Sequence, residues 1–525
     1  MALPAELKNT ANLAKRFKKA KNRRSSNWWS HFRECYEYAA PQREIFDTHS
    51  PGEKKNTDLY DDTAVTGLQK FANRMQKAVC PPWQQWSMLV PGEDNVDSKA
   101  KIEYGTKRLP IADVLEMVTD RVFNYIHRSN FASRVYESFI DMGISTGTLT
   151  CEYDKRQDKL IFNSVPLAQL YLNSGPNGEI DDHWREHDIE YGQIKTMWPE
   201  AKLSQQIRQK IRNSPDMNVK VIEGCIYHAP DNLYYYVVML NEGKDLIYSQ
   251  DEGETSPFVS FRGMVVPGEA YGRGPIMQVL PSIKTLNMVK EFELTAAALA
   301  ASGAWTGRDD GTFNPYTVRV APGVMIPVGS NDRSNPTISA LPLNFDVKYS
   351  QVIGDELKQE INKALFAEPL GSTEDPTKTA TEIQYRYQMH LEDAGAFFAR
   401  LQVELIEKLM KRVVHVLKRE GIIPPLKLDG RELSLKHTSP IAKIMDYEDL
   451  QNLQQAIAET SMLGEETVML TYDTEKVGEY INEKRGVSPT LYRDEKQRAE
   501  VKKQMAEAAQ AMAAQQQQQG GGGVV

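Results

Sequence analysis

One stretch of the chain carries residues whose types and spacing could do chemistry. His183-Trp184-Arg185-Glu186-His187 reads H-x-x-E-H. On a helix such a pair of histidines shares a face and can hold one zinc ion. The flanking Asp181, Asp182, Asp188 and Ile189 read instead as a strand. Positions four apart on a strand are separated by about 13 Å, too far for one ion. The acids Glu368, Glu374 and Asp375 fall in a loop and read as a solvated turn rather than a catalytic set. Gly272-Arg273-Gly274-Pro275 lacks the third glycine of a dinucleotide fingerprint, and its proline removes an N–H that a phosphate would need. There is no G-x-x-x-x-G-K-[ST] loop. Cys35, Cys80, Cys151 and Cys225 form no C-x-x-C pair and are expected as buried, inert thiols of a reducing compartment. The chain is thus read as a non-enzyme without a metal or cofactor. A metallohydrolase or nuclease using His183 and His187 remains as a rival.

Charge narrows the partners. The 525 residues hold 63 Lys+Arg and 71 Asp+Glu, a net charge of −8. An acidic chain is a poor nucleic-acid coat, because tight coating needs many phosphate-neutralising side chains. The charge is uneven, however. Residues 1–33 carry +8, which leaves −16 on the rest. This basic arm reads as a solvated amphipathic helix with Leu3, Leu7, Leu13 and Phe17 as its apolar positions. The alternatives are contact with nucleic acid or with an acidic surface of a neighbouring subunit. The arm has no apolar core of the kind a secretory signal needs. The longest nearly apolar stretch, Ala296 to Trp305, is about half the ~20 residues of a membrane span.

The elements that must position these residues follow from periodicity. Ala64–Val79 sets Val65, Leu68, Phe71, Ala72 and Met75 at steps of three and four, a one-faced helix stopped by Pro81-Pro82. Trp28, Trp29, Trp83 and Trp86 predict a dense local core. Two helices are expected within 106–150. From Leu149 to about Phe261, alternating β-branched and aromatic residues predict an antiparallel β region. Helices are expected there at Tyr191–Met197 and near Ala201–Arg212. Pro275 opens a helix reaching Gly303, with Pro281 a candidate kink. A Gly- and Pro-rich insert, 303–345, precedes a helix over 346–366. The loop 367–378 leads into the longest helix, 379–420, whose length is about 60 Å and whose stripe includes Phe398, Leu401, Leu405, Leu409, Val413 and Val416. Gly395 is its expected bend. Two short strands (426–439), two or three helices (447–483), a last helix (489–514) and a disordered Gln/Gly tail (515–525) complete an α+β, multi-domain chain.

Two stretches together carry a family resemblance. One runs from Leu59 through Tyr60-Asp61-Asp62-Thr63 and a small-residue helix to Pro81-Pro82-Trp83 and Trp86. The other is Gly268-Glu-Ala-Tyr-Gly-Arg-Gly-Pro275, entering a helix with a late Leu286-Asn287. In order and spacing they resemble the head-to-tail connector (portal) proteins of short-tailed bacteriophages.

That resemblance implies a portal fold of wing, stem, clip and crown, assembled as a ring, usually of twelve copies, at one capsid vertex. Double-stranded DNA would pass through the channel during packaging and ejection. The wing would span 1–274 and the stem 275–302 and 346–366. The clip would be 303–345, with Arg308, Asp309, Asp310, Phe313 and Arg333 facing the terminase motor and then the tail adaptor. The channel loop, within 367–378, would comprise Glu368, Pro369, Leu370, Gly371, Ser372, Thr373, Glu374 and Asp375. Residues 379–425 would be a long wing helix, 426–488 the crown and 489–514 a C-terminal barrel helix. Candidate DNA-facing lysines are Lys284, Lys290, Lys358, Lys363 and Lys378. They would make weak contacts that read no bases, since a channel must pass any sequence. Major capsid, scaffolding and internal core proteins are further implied partners, with the host cytoplasm as the assembly site and the virion as the destination. A non-ring structural adaptor is the alternative.

Overall fold

A computed structural model describes residues 4–43, 45–46, 52–55, 59–91, 101–104, 107–240, 244–302, 305–307, 338–340, 347–367, 395–424, 433–438, 440–462, 464–485, 497–498, 500–501 and 503–504. The chain forms two compact units. The first comprises residues 1–75, 133–150 and 163–405; the second comprises 76–132, 151–162 and 406–525.

In the first unit, Asn9 caps a basic helix. Its side chain accepts the Ala11 N–H (3.0 Å), and helix α2 (Thr10–Arg23) follows the short α1 (Ala5–Lys8). Leu13, Phe17 and Ala20 recur at steps of four and three, so one stripe is apolar. With Leu7 it lies buried on a five-stranded antiparallel sheet. The strands are β6 (Leu170–Ser174), β7 (Ile180–Glu190), β8 (Asn218–His228), β9 (Leu233–Leu240) and β10 (Asp245–Gly253), in spatial order 10-9-8-7-6. The face they offer α2 is Tyr171, Trp184, Ile222, Ile226, Tyr235, Val237 and Met239. Burying each large side chain contributes roughly 2 kcal/mol. Gly224, opposite Trp184 in register, leaves room for the indole; a Cβ there would come within 2.4 Å of the ring. The expected arm is therefore a docked helix rather than a solvated one, because the sheet supplies the apolar surface its stripe needs. Leu3 lies outside the described residues.

Helices α3 (Ser25–Ala39), α4 (Thr63–Val79), α6 (Phe131–Ile144), α9 (Pro275–Ser302) and α10 (Val347–Ala364) belong wholly or mostly to the same unit. Strand β4 (Thr146–Asp154) pairs with β11 (Phe258–Arg262) and with β5 (Lys159–Ser164), completing a small sheet. The α9 helix is continuous through Pro281, whose ring faces outward, where a lost hydrogen bond costs least. Beyond it, the described ends of the insert pair as a two-stranded antiparallel ladder, β12 (Trp305–Gly307) with β13 (Ile338–Ala340).

The second unit is organised by α5 (Ile111–His127) and an antiparallel pair far apart in sequence. Strand β1 (Ser87–Pro91) runs against β14 (Leu433–His437), Leu89 facing Leu435. The hairpin β2 (Lys101–Tyr104) and β3 (Lys107–Pro110) precedes α5. Trp86 packs on Phe123 and Phe131 at 5.0 and 6.0 Å between ring centroids. The helix Lys408–Arg419 buries Leu409, Val413 and Val416 here. Helices Pro440–Ser461, Glu465–Thr471 and Thr474–Arg485 follow.

Several expectations change. Strand β1 stands in the stretch expected to be helical and aromatic-rich, β3 within the 106–150 stretch expected as two helices, and β2 where no element is expected. Trp83 is 76% exposed with a left-handed φ of 66°, so the four tryptophans do not form one core. Trp28 and Trp29 belong to the first unit and Trp86 to the second. The described part of the longest helix, Gly395–Arg419, carries a π-turn at Gln402–Glu407; residues 379–394, on the far side of the expected bend at Gly395, lie outside the described residues. One strand is described within 426–439.

Candidate functional site

The two motifs meet at Asn287. Its Oδ1 accepts the backbone N–H groups of Tyr60 (2.7 Å) and Asp61 (3.3 Å). The late Leu-Asn of one motif therefore holds the Tyr-Asp-Asp-Thr start of the other. Asp61 turns back to accept the N–H of Thr63 (2.9 Å), which starts α4. Along α4, Gly67 lies under Leu365 near the end of α10, and Phe71 stacks at 6.4 Å on Phe366. Arg74 donates to the Phe366 carbonyl. Ser350 of α10 donates to Glu293 of α9 at 2.6 Å.

The Tyr-Gly-Arg-Gly-Pro turn is a close backbone crossing. Tyr271 is buried; its hydroxyl donates to the Leu170 carbonyl (3.1 Å) and accepts the Leu172 N–H (3.2 Å). Burial pushes its phenol up to about 12. Gly272 donates its N–H to Thr146 Oγ1 (3.0 Å), and its carbonyl accepts from Ser145 Oγ (2.7 Å). Gly274 donates to the Ile144 carbonyl at 2.9 Å. A Cβ at Gly274 would sit 2.2 Å from the Gly143 carbonyl oxygen. Both glycines are thus required by approach, not by phosphate binding. Pro275, which has no N–H to satisfy, then opens α9.

A buried ion pair that spacing did not signal lies beside this turn. Arg262 donates Nη2 to Glu404 Oε1 (2.7 Å) and Nε to Oε2 (3.2 Å), while the Arg262 backbone N–H also reaches Oε2 (2.9 Å). Glu404 stands in the π-turn. With 142 residues between the partners, only the tertiary fold reveals the pair.

Of the candidate DNA-facing lysines, Lys284 pairs with Glu34 (2.9 Å), Lys290 with Glu293 (2.7 Å) and Lys358 with Asp61 (3.7 Å). Lys363 is exposed and has no carboxylate partner among the described residues. Lys378, the loop residues 368–375 and Arg308, Asp309, Asp310, Phe313 and Arg333 lie outside the described residues.

The H-x-x-E-H stretch lies on β7, and the strand divides it. Glu186 faces α2, where it accepts from Lys21 Nζ (2.9 Å) and the Tyr171 hydroxyl (2.9 Å). His183 stacks on Phe258, with centroids 5.9 Å apart. His187 comes within 3.3 Å of Glu223 Oε1. Burial, with Arg185 nearby, pulls the His187 imidazole down to about 3, so it is neutral at physiological pH. Among the described residues, no group of three His, Cys, Asp or Glu side chains is placed to hold a metal. All four cysteines are buried and unbridged, and burial pushes the Cys35 thiol up to about 12. Among the described residues no helix is long and apolar enough to cross a membrane.

A family model described as bacteriophage head to tail connecting protein matches residues 10–492. The probable portal protein of Bordetella phage BPP-1 is 20% identical over 508 residues, covering 92% of this chain and 89% of that protein. The portal proteins of Enterobacteria phage T3 and Escherichia phage T7 are each 21% identical, covering 81% of this chain and 77% of theirs. A chain from the virion of a native gene transfer agent particle aligns over 80% of this chain with 12% identity and a TM-score of 0.35, a likeness too slight to decide anything. The family is structural rather than enzymatic. With the match spanning nearly the whole length and including both motifs at their junction, the chain belongs to the bacteriophage head to tail connecting protein family and is a head-to-tail connector of the phage virion.

Proposed function

We propose that this chain closes into a homo-oligomeric ring, twelvefold as is usual in the family, at one vertex of the capsid. Double-stranded DNA is packaged inward through its channel and later ejected through it. The ring docks the terminase motor during packaging and the tail adaptor afterwards, with contacts to major capsid, scaffolding and internal core proteins. In this reading 1–274 and 379–425 form the wing, 275–302 and 346–366 the stem, 303–345 the clip, 367–378 the channel loop, 426–488 the crown, and 489–514 a barrel helix.

The observation that carries the proposal is the surface of α9. This 28-residue helix has no strongly polar side, yet Met288 is 51% exposed, Phe292 58% and Leu294 56% in the single chain. Val352 on α10 is exposed as well. Met288 and Phe292, four apart, share one face; Leu294 points roughly 200° away from Phe292. Large apolar side chains left exposed on a single chain mark a surface that a partner covers. Two unlike apolar flanks on one subunit suit head-to-tail contacts, which close into a ring when the rotation per subunit allows. The pairing of β12 with β13 supports the insert as a distinct clip body. Acidity suits a conduit, since strong phosphate neutralisation would make DNA stick rather than slide. Lys363, without a carboxylate partner, is the described stem lysine best able to meet a phosphate.

Electron micrographs of the purified full-length protein test the reading. Rings with a central hole are expected. A population of monomers or dimers would sink the conduit and favour a non-ring adaptor.

A further inference from the structure

The basic N-terminal helix is the feature that the family resemblance leaves unexplained. Its inward stripe is buried on the sheet, and two of its flanking cations are already used. Arg16 pairs with Asp182 (3.4 Å) and Lys21 with Glu186 (2.9 Å). The opposite side of α2 presents Lys15, Lys18 and Lys19, all exposed, and none has a carboxylate partner among the described residues. The 14 residues of α2 contain no acid. Because the helix is anchored by Leu13, Phe17 and Ala20, these ammonium groups form a fixed ridge rather than a loose tail.

The ridge is one wall of a cleft of about 1310 Å³. Glu6, Glu179, Asp181 and Glu254 contribute carboxylates to the same cleft, and Arg16 and Arg23 add two further cations. It is larger than an ordinary small-molecule site of about 300–1,000 Å³. A polyanion such as DNA would be drawn to the ridge but would also meet the four carboxylates. A protein surface rich in acids, with an occasional base, satisfies both walls.

We infer that the Lys15–Lys18–Lys19 ridge docks an acidic face of a second copy of this chain. Outside the arm each copy carries −16, so a ring neighbour is a ready source of complementary charge. A ridge centred on a twofold axis would face itself and repel, whereas a head-to-tail contact sets it against a different surface. The inference rests on the ring reading above and assigns to it one face of the subunit contact.

The test compares the wild-type full chain with Lys15→Glu/Lys18→Glu/Lys19→Glu and with the charge-keeping Lys15→Arg/Lys18→Arg/Lys19→Arg. Oligomeric state is read by sedimentation velocity in low and high salt. Folding is checked by circular dichroism and thermal melting. Zero-length carbodiimide cross-linking of the wild type maps the ridge's carboxylate partners. The expected result is a folded glutamate variant whose rings are lost or shifted to free subunits. The arginine variant should assemble normally, wild-type rings should weaken in high salt, and cross-links should join ridge lysines to a second subunit. Intact rings in the glutamate variant overturn the inference, and leave the ring reading standing. If that variant instead loses binding to a random-sequence DNA duplex, the ridge is a nucleic-acid surface. If neither readout changes, the ridge is a solvated face. A wild-type chain that forms no ring overturns both this inference and the ring reading.

Discussion

Asn287 concentrates much of the junction in one side-chain oxygen. Replacing it by alanine leaves the N–H groups of Tyr60 and Asp61 without their acceptor. The expected loss is about 1–3 kcal/mol, with Asn287→Asp recovering part of it; urea unfolding of the two variants measures both. His187 makes a pH prediction. Its folded-state pKa, about 3, lies below the ordinary histidine value of 6.5. Below 6.5 the unfolded chain therefore takes up a proton that the folded chain refuses. Stability from this group is complete above that pH and falls as the pH drops toward 3. Between about pH 7 and about pH 5 the loss is roughly 2 kcal/mol. Asp182 and Glu223, pushed up by burial, act with the opposite sign, their contribution falling as the pH rises through their raised values. The difference between wild type and His187→Gln thus isolates the histidine. Melting curves at the two pH values should show a smaller acid loss in the variant; equal losses would refute the assignment.

At the scale of elements, the turn between β11 and α9 is governed by backbone proximity. Gly274→Ala places a methyl 2.2 Å from the Gly143 carbonyl oxygen, an atom that cannot swing aside. A destabilisation of about 3 kcal/mol or more is expected in denaturant titration, or failure to fold. Gly354→Ala, on α10, meets only a Leu286 methyl at ordinary contact distance of 3.9 Å and should be tolerated. The exposed side of α9 yields the contrasting case. Met288 and Phe292 contribute little to the isolated fold, so Met288→Glu/Phe292→Glu should leave the melting temperature nearly unchanged. In the proposed ring their role lies between copies. The variant should therefore remain as free subunits in sedimentation velocity. Rings formed by it would remove these residues from the stem contact.

For the whole molecule, the net charge of −8 would be multiplied by the number of copies in the proposed ring, so DNA in its channel would meet an acidic assembly. Of the candidate DNA-facing lysines, Lys284, Lys290 and Lys358 are engaged by carboxylates of their own chain, which would weaken any grip on phosphate. On the proposed reading, control of DNA then falls to the loop 367–378 rather than to the stem. Shortening Glu368–Pro376 should leave rings intact but impair packaging or retention, scored as the fraction of genome-filled heads. Heads filled as in the wild type would count against a channel role for the loop.

The sequence alone determined what local spacing encodes. Periodicity carried the buried stripes of α4 and of the Lys408–Arg419 helix. Alternation carried the antiparallel β region, and the flanks of His183 and His187 identified the strand that splits H-x-x-E-H. Proline and glycine marked the start of α9 and the limits of the insert. The two motifs located the family because their order along the chain is itself sequence information. Tertiary structure decided what depends on residues distant in the chain. It seated the basic arm on a sheet and brought Asn287 to Tyr60. It joined Arg262 to Glu404 across 142 residues and paired β1 with β14. It also turned Trp83 outward. The physical reason is that a helix stripe or strand face specifies only that a partner surface must exist. Which surface buries it, and which charges are left unpaired at its edge, is a property of the assembled fold.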